Sequence, residues 1–468
     1  MSFDARISRL ALFAGACALL AACAAAPSRP TAPMPGAAAR AAAPATPEQL
    51  GTVPGISRRR VVGYFMGTGV LRGVDPQRIR GDRLTHLIYA FADIGPDGLP
   101  RLENPCIDIG QCAPGQRNPY PDGGVFGQLR QLKQRYPHLK LLISVGGWGR
   151  STHFSDAAAT PESRKAFIDS AMELFFRRYP GLFDGLDLDW EFPVRGGLAT
   201  NSYRPDDRAN FTALVEELRQ RLDADGAAAH THYLLTEASP AGAGHMANQD
   251  LARLATSLDF LNIMCYDYHS GGRMAHFNAP LFSPVGDPTP NYNVDWTVRA
   301  YLALGIPSYK LVVGVPFYGV GYAGVPGNRG LFQPVPRDST APATVNPAAP
   351  ALALAPTPVA APAPTPAVAA APAPGARAQR PWGASGFRYH QLKEAEQRGF
   401  KRYWHPEART YWLHHAESGV FVSYEDPRAL AHKSDYIRRN DLGGLMFWEI
   451  GSDTTGTLLQ AAWKGMRK

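Results

Sequence analysis

Eight short runs of apolar, β-prone residues recur along the chain with helix-like stretches between them, and this alternation limits the fold more than any other feature. The runs are Val61–Met66, Leu87–Ala92, Leu141–Gly146, Gly185–Phe192, Tyr233–Ala238, Phe260–Tyr268, Leu311–Tyr318 and Gly444–Ile450. Amphipathic segments such as Val125–Gln134, Pro161–Arg178 and Asp206–Leu222 separate them. Thr160, Pro161 and Glu162 read as a helix start: an N-cap, proline at the first position and an acid in the first turn. Near-continuous apolar strands imply burial on both faces, hence a parallel sheet covered by helices. Eight of them predict an α/β fold, a closed (β/α)8 TIM barrel over residues 58–468. The alternative is an open doubly wound sheet, which would carry a glycine-rich turn after its first strand. Here Gly67-Thr68-Gly69 lacks the third glycine.

One interval breaks the rhythm: more than 120 residues separate the seventh and eighth runs. Within it Phe387–Gly399 reads as helical, and Tyr411–Leu413 and Val420–Tyr424 as strands flanking a Glu417-Ser418-Gly419 turn. A small α+β insertion over 320–425 is expected. It contains a low-complexity excursion over 333–380; about three quarters of residues 341–374 are Ala or Pro.

Charge points away from nucleic acid. Of the 468 residues, 48 are Lys or Arg and 40 Asp or Glu, a formal balance of +8, and the basic residues are scattered, with Arg58-Arg59-Arg60 the longest run. A nucleic-acid binder concentrates them in a stripe or patch. Composition also excludes collagen, a coiled coil and a polytopic membrane protein.

The N-terminus reads as an export signal over residues 1–22. Arg6 and Arg9 precede an apolar run, Leu10 to Ala22, too short for a comfortable permanent span. Leu20-Ala21-Ala22-Cys23 resembles a bacterial lipobox, in which cleavage precedes a cysteine that becomes acylated. An ordinary Ala-x-Ala cleavage is the alternative. The lipobox reading implies a lipoprotein anchored through Cys23, and Ala24 in the next position suggests outer-membrane lipid. Residues 23–57, rich in Ala and Pro, read as a spacer between membrane and domain.

Cysteine use agrees with export. Cys106 and Cys112 lie close together in a Pro/Gly-rich loop, where an oxidising compartment can join them; a free pair is the alternative. Their spacing fits no common zinc pattern and no histidine cluster accompanies it, so no metal is expected. Cys265 sits in an apolar run and reads as buried and inert.

The most informative segment is Phe183-Asp184-Gly185-Leu186-Asp187-Leu188-Asp189-Trp190-Glu191-Phe192-Pro193. Its period-two alternation puts Asp187, Asp189 and Glu191 on one face of a strand and Leu186, Leu188 and Trp190 on the other. An amphipathic surface strand is the bland alternative, but the flanking sequence fits a central strand. In a barrel the leucines would face the helices and the acids the interior. Three carboxyls on one buried strand must share protons and hydrogen bonds. Glu191 lies nearest the C-terminal end, where barrel active sites are built, and a retained proton there makes a general acid.

Asp184-x-x-Asp187-x-Asp189-x-Glu191 resembles the DxxDxDxE signature of glycoside hydrolase family 18, the chitinases and related N-acetylglucosaminidases. Ser144-Val145-Gly146-Gly147-Trp148 is similar to the family's SxGG motif, Met264-Cys265-Tyr266-Asp267-Tyr268 to its MxYD motif, and Gly314–Gly319 and Gly444–Glu449 to its last two strands. The insertion before the last strand resembles the chitinase insertion domain. Five motifs in order, from about residue 60 to the C-terminus, are far more specific than any one.

The resemblance implies substrate-assisted hydrolysis of β-1,4-linked N-acetylglucosamine. In this scheme the sugar's own acetamido oxygen attacks the anomeric carbon, the glycosidic exception to two flanking carboxylates. Glu191 would protonate the leaving oxygen, Asp189 would bind the acetamido N–H, and Asp187 would partner Asp189. Tyr266 would donate to the acetamido carbonyl, with Asp267, Trp148 and Met264 contacting sugar and Trp448 forming the floor. Asp184 and Ser144 would support the site by hydrogen bonds, and Gly146 and Gly147 would permit close backbone packing. Trp148, Trp190, Trp296 and Trp404 are candidate sugar-stacking residues, each of which could equally be core. Glu449, adjacent to Trp448, should face away. The partner implied is chitin or its oligosaccharides, acted on by a monomer without cofactor. The competing readings are another hydrolase of the family, acting on glycan cores or peptidoglycan, and a catalytically silent lectin. Such lectins usually have the terminal glutamate replaced, whereas Glu191 is present.

Overall fold

The computed structural model describes residues 58–270, 272–325, 330–335 and 387–467. Residues 1–57, on which the expected export signal, Cys23 and spacer fall, and most of the 333–380 excursion lie outside the described residues.

The expected barrel forms. Its strands are β1 (Arg60–Met66), β2 (His86–Ile94), β4 (Lys140–Gly146), β5 (Gly185–Asp189), β6 (Leu234–Ser239), β7 (Phe260–Ile263), β8 (Leu311–Pro316) and β14 (Gly444–Trp448). All eight pair in parallel, and β1 closes the circle by pairing with both β14 (Val61 opposite Leu445) and β2 (Gly63 opposite Leu87). A short β3 (Pro100–Leu102) folds back antiparallel on the end of β2.

Alternation along each strand separates two apolar layers. Val62, Tyr64, Met66, Ile88, Leu142, Phe260, Val312 and Met446 pack inside the barrel. Val61, Phe65, Leu87, Leu141, Leu186, Leu188, Val313 and Phe447 join the larger core between the strands and the helices. The helix Pro161–Ala171 begins as its sequence predicts: Thr160 accepts from the Ser163 amide at 3.1 Å, with Pro161 in the first turn. Its last turn widens at Met172–Arg177, so the single helix expected over Pro161–Arg178 is two segments.

Between β8 and β14 stands an antiparallel sheet: β9 (Tyr318–Tyr322), β10 (Phe387–Arg388), β11 (Lys401–His405), β12 (Thr410–His415) and β13 (Val420–Tyr424), ordered β10-β9-β13-β12-β11. The strands expected at 411–413 and 420–424 are present. The helix expected over Phe387–Gly399 is reduced to one turn, Tyr389–Leu392, and a tighter turn at Glu396–Arg398. Two tertiary facts cause this: Phe387 is recruited as a strand opposite Gly319, and Gly399 adopts φ +87° and stops the turn. The edge strand β11 escaped the sequence reading because it opens on two charged residues, Lys401 and Arg402, which give no apolar alternation.

Four barrel strands end before their apolar runs do, β8 and β14 by two residues each and β5 and β7 by more. β5 ends at Asp189, since the Glu191 amide leaves the sheet to donate to Ser151 Oγ at 2.9 Å. β7 ends at Ile263, after which the chain turns on itself: Cys265 N donates to Ile263 O and Tyr266 N to Met264 O. The ends of both motifs therefore lie just past the strands, at the C-terminal mouth.

Candidate active site

β5 places its acids as the alternation requires. Leu186, Leu188 and Trp190 face the helix layer, where Trp190 stacks on Phe154 with centroids 5.0 Å apart. Asp187 and Asp189 are buried in the interior, and Glu191 is half-buried at the mouth.

Asp187 is surrounded by donors. Tyr64 Oη (2.8 Å) and Ser144 Oγ (2.7 Å) donate to Oδ2, and Thr236 Oγ1 (2.5 Å) and Asn262 Nδ2 (3.4 Å) to Oδ1. Burial pushes its carboxyl up to about 6, and these hydrogen bonds hold it from rising further. Asp187 therefore spends its oxygens on β1, β4, β6 and β7. Asp189 lacks such a shell: its buried Oδ1 has no partner among the described residues. Burial, followed by the charges of Glu191, Asp187 and Glu237, holds it well above the usual carboxylate range.

The Glu191 carboxyl is pushed up to about 8, first by burial and then by the negative charge of Asp267, against a backbone hydrogen bond from Trp148. Ser151 anchors the Glu191 amide and Asn201 Nδ2 donates to its carbonyl at 2.9 Å. A protonated carboxyl is thus held just past the strand end at neutral pH, with a second, charge-poor carboxyl close by on the strand's last residue.

The remaining expected residues divide. Tyr266 lies among Asp189, Asp267 and Glu191, whose charges add to burial in raising its hydroxyl well above its ordinary range. Its hydroxyl is 4.0 Å from Met446 Sδ and its ring meets Tyr318 edge-on. Asp267 is exposed to the mouth, Met264 and Trp148 are half-buried, and Trp448 is buried in the interior layer, stacked on Phe91 at 5.4 Å. Gly146 and Gly147 adopt φ +106° and +90°; a Cβ on Gly146 would stand 2.3 Å from the Asp189 carbonyl, and one on Gly147 2.7 Å from the Phe91 ring.

Asp184 is not in this group. It stands before β5, at the opposite end of the strand, accepting from the Leu141 amide at 2.8 Å and pairing with Lys133 at 2.7 Å. Its contacts tie β5 to β4 and the helix Gly124–Arg135. Trp190 is core. Trp296 packs against the helix layer, and Trp404 lies on β11 with Arg428 over its ring at 4.1 Å. Glu449 turns away as its parity predicts, accepting from the Gly451 amide at 3.0 Å. Cys106 and Cys112 form a disulfide, and Cys265 is buried, its thiol pushed up to about 12.

The sequence reading missed Tyr64, Thr236, Asn262 and Ser151. The signal for the first three was a polar group at an inward position of an otherwise apolar strand. In β6, however, Thr236 and Glu237 are adjacent, and only closure of the barrel decides which faces in.

A closed parallel barrel with a proton-bearing carboxyl at the C-terminal mouth is the architecture of a barrel hydrolase working by general acid catalysis. Residues 60–453 match the family model for glycosyl hydrolases family 18, and the chain belongs to that family. It is 34% identical to Chitinase A1 of Niallia circulans over 451 residues, covering 88% of this chain and 59% of that protein. Among solved structures, Chitinase ChiA74 from Bacillus thuringiensis matches with a TM-score of 0.72 at 33% identity, over 87% of this chain and 69% of the other. A family 18 N-acetylglucosaminidase from Paenibacillus barengoltzii matches with a TM-score of 0.65 at 28% identity, over 87% and 99%. The chain spans 59% of the length of Chitinase A1 and 27% of Chitinase ChiA of Flavobacterium johnsoniae.

Proposed function

We propose that the protein is a chitinase that hydrolyses β-1,4-N-acetylglucosaminide bonds with retention, the substrate's acetamido group acting as nucleophile. The observation that carries this reading is the closeness of Glu191, raised to about 8 just past the end of β5, to Asp189, the last residue of that strand. Both approach a bound sugar from one side, so they do not flank a glycosidic bond as an acid and nucleophile must. The nucleophile then comes from the sugar itself. Glu191 gives its proton to the leaving oxygen and afterwards takes one from water. Asp189, whose Oδ1 is unpartnered, accepts the acetamido N–H and stabilises the oxazolinium as it forms. Tyr266 donates to the acetamido carbonyl, Asp267 binds a hydroxyl of the same ring, and Trp448 supports its apolar face. Asp187 holds its own charge through four donors and modulates that of Asp189.

Chitobiosyl and cellobiosyl fluorogenic substrates, assayed side by side, test the proposal. Only the acetamido substrate should turn over, giving a β-anomeric first product by NMR; cleavage of cellobioside or an inverted product defeats it. The N-acetylglucosaminidase relative favours one second reading, release of single sugars, which product analysis on defined oligomers distinguishes from release of dimers.

We also infer that the chain is exported, acylated at Cys23 and held at the outer membrane as a monomer. The lipobox-like Leu20–Cys23 and the proline-rich spacer support this, and the Cys106–Cys112 disulfide suits an oxidising compartment. Mass spectrometry of the purified N-terminus tests acylation, and a C23S variant recovered unchanged in the membrane fraction counts against it.

A further inference from the structure

Asp267 holds an unusual backbone conformation, φ +56°, in the left-handed region that non-glycine residues visit singly and Asp more readily than most. Its backbone amide donates to Asn278 Oδ1 at 2.8 Å. On the other side Ser270 Oγ donates to Asp267 Oδ1 at 2.9 Å, and the Ser270 amide to the Asp267 carbonyl at 3.1 Å. Asn278 is 3% exposed, and its own amide donates to Ser423 Oγ on β13, a serine with no exposure. Its neighbours are seated on the same insertion sheet and the helix after it. Phe277 packs with Tyr322, Trp412 and Phe421 of that sheet, and the Ala279 carbonyl accepts at 2.6 Å from buried Lys433 in that helix, Pro427–Arg439.

We propose that Asn278 is a positioning residue: its carboxamide clamps the Asp267 backbone so that the Asp267 carboxylate faces Glu191, and Ser423 of the insertion sheet sets the clamp. The proposal deepens the chitinase reading and rests on it for the roles of Asp267 and Glu191. The insertion thereby becomes part of the machinery, since one of its serines reaches Asp267 through two hydrogen bonds. The chemistry also explains the residue type. A backbone N–H needs an acceptor, so the amide must present its oxygen, which leaves Nδ2 without a partner among the described residues. Aspartate would satisfy the N–H without an orphan donor but would bury another negative charge beside Asp267.

Groups facing Glu191 are Asp189 at the end of β5, Tyr266 and Asp267 after β7, Tyr318 on β9, and the Trp148 amide. Of these, Asp267 is the charge that raises the acid most. Freed from its clamp, the Asp267 backbone leaves the left-handed region, its carboxylate is drawn off the Tyr318 and Ser270 hydroxyls that hydrogen-bond it, and Glu191 loses its proton at lower pH.

The test is N278A, with N278D and S423A beside it, each first compared with wild type by circular dichroism. A crystal structure of N278A should show Asp267 out of the left-handed region or its carboxylate turned from Glu191. With a chitobiosyl fluorogenic substrate, kcat should fall by on the order of 10²-fold, the scale of a displaced catalytic group. The alkaline limb of kcat/KM should move down by about half a pH unit or more, as expected when a neighbouring like charge is withdrawn. N278D keeps the acceptor, so it should recover much of kcat with its alkaline limb at or above wild type; S423A should shift the limb as N278A does, but less. An unmoved Asp267 in the N278A crystal overturns the clamp, and so does lost activity with an unmoved alkaline limb, which marks a merely structural residue. If N278A does not fold, the S423A crystal and pH profile decide in the same terms. A wild type inert to chitobioside defeats the chitinase reading alone, because the Asp267 conformation still decides the clamp.

Discussion

The amide of Gly147 donates to the carbonyl of Asp189 at 2.6 Å, so the loop after β4 is laid directly on the strand that carries the acids. Two consecutive left-handed residues make this approach possible, and neither position has room for a Cβ. G147A should therefore lose about 2 kcal/mol or more of stability, from strain and overpacking against Phe91 together. Urea unfolding measures it, and a G147A midpoint equal to wild type refutes the packing argument.

Replacing the acid tests the centre itself. E191Q should lower kcat on a chitobiosyl substrate by about 10²–10⁴-fold, the range supplied by a positioned general acid, while still binding oligosaccharide by calorimetry. Retained turnover means that another group delivers the proton.

The same residue predicts the alkaline side of the pH profile. Glu191 must be protonated to act and is raised to about 8, so kcat/KM should fall as pH rises through that region. A profile flat to pH 10 contradicts its assignment as acid.

A stability prediction follows from Glu237, fully buried on the outer face of β6 and pushed up to about 8 by burial, with Gln249, Ser239, Tyr301 and Asp187 the polar groups nearby. Its folded value lies above its ordinary 4.5, so the native state holds a proton that the unfolded chain releases. Stability from this group is complete below about pH 4.5 and is lost as pH rises towards 8. E237Q keeps the shape without the titration. It should melt like wild type at pH 4.5 and be more stable at pH 8 by on the order of 2 kcal/mol. Equal melting at both pH values disproves the buried proton.

Reduction of the Cys106–Cys112 disulfide offers a simpler measurement. It closes a short loop, so C106S/C112S should cost about 2 kcal/mol by the loop-entropy estimate. Thermal melts with and without reductant should differ for wild type and coincide for the double variant.

The barrel was legible because each buried strand announces itself as an apolar run, and the acids because a period of two interrupts one of those runs in a single place. The insertion was half legible. Strands β12 and β13 carry clear β patterns flanking a turn, whereas Phe387 and Lys401–His405 become strands only because partners are there to pair with them. Asp184 shows the limit of reading a signature as one unit. It belongs to the same string of residues as Glu191, yet strand geometry carries it to the far end of the barrel, where it ties β5 to β4.

The chain by itself determined the eight-fold alternation and the common face expected of Asp187, Asp189 and Glu191. These are local consequences of strand pleat and backbone sterics. Tertiary structure alone decided which groups would surround the acids. Tyr64, Ser144, Thr236 and Asn262 come from four different strands and converge on Asp187 only when the sheet closes. That closure withdraws water from the acids, which is the physical reason a proton remains on Glu191.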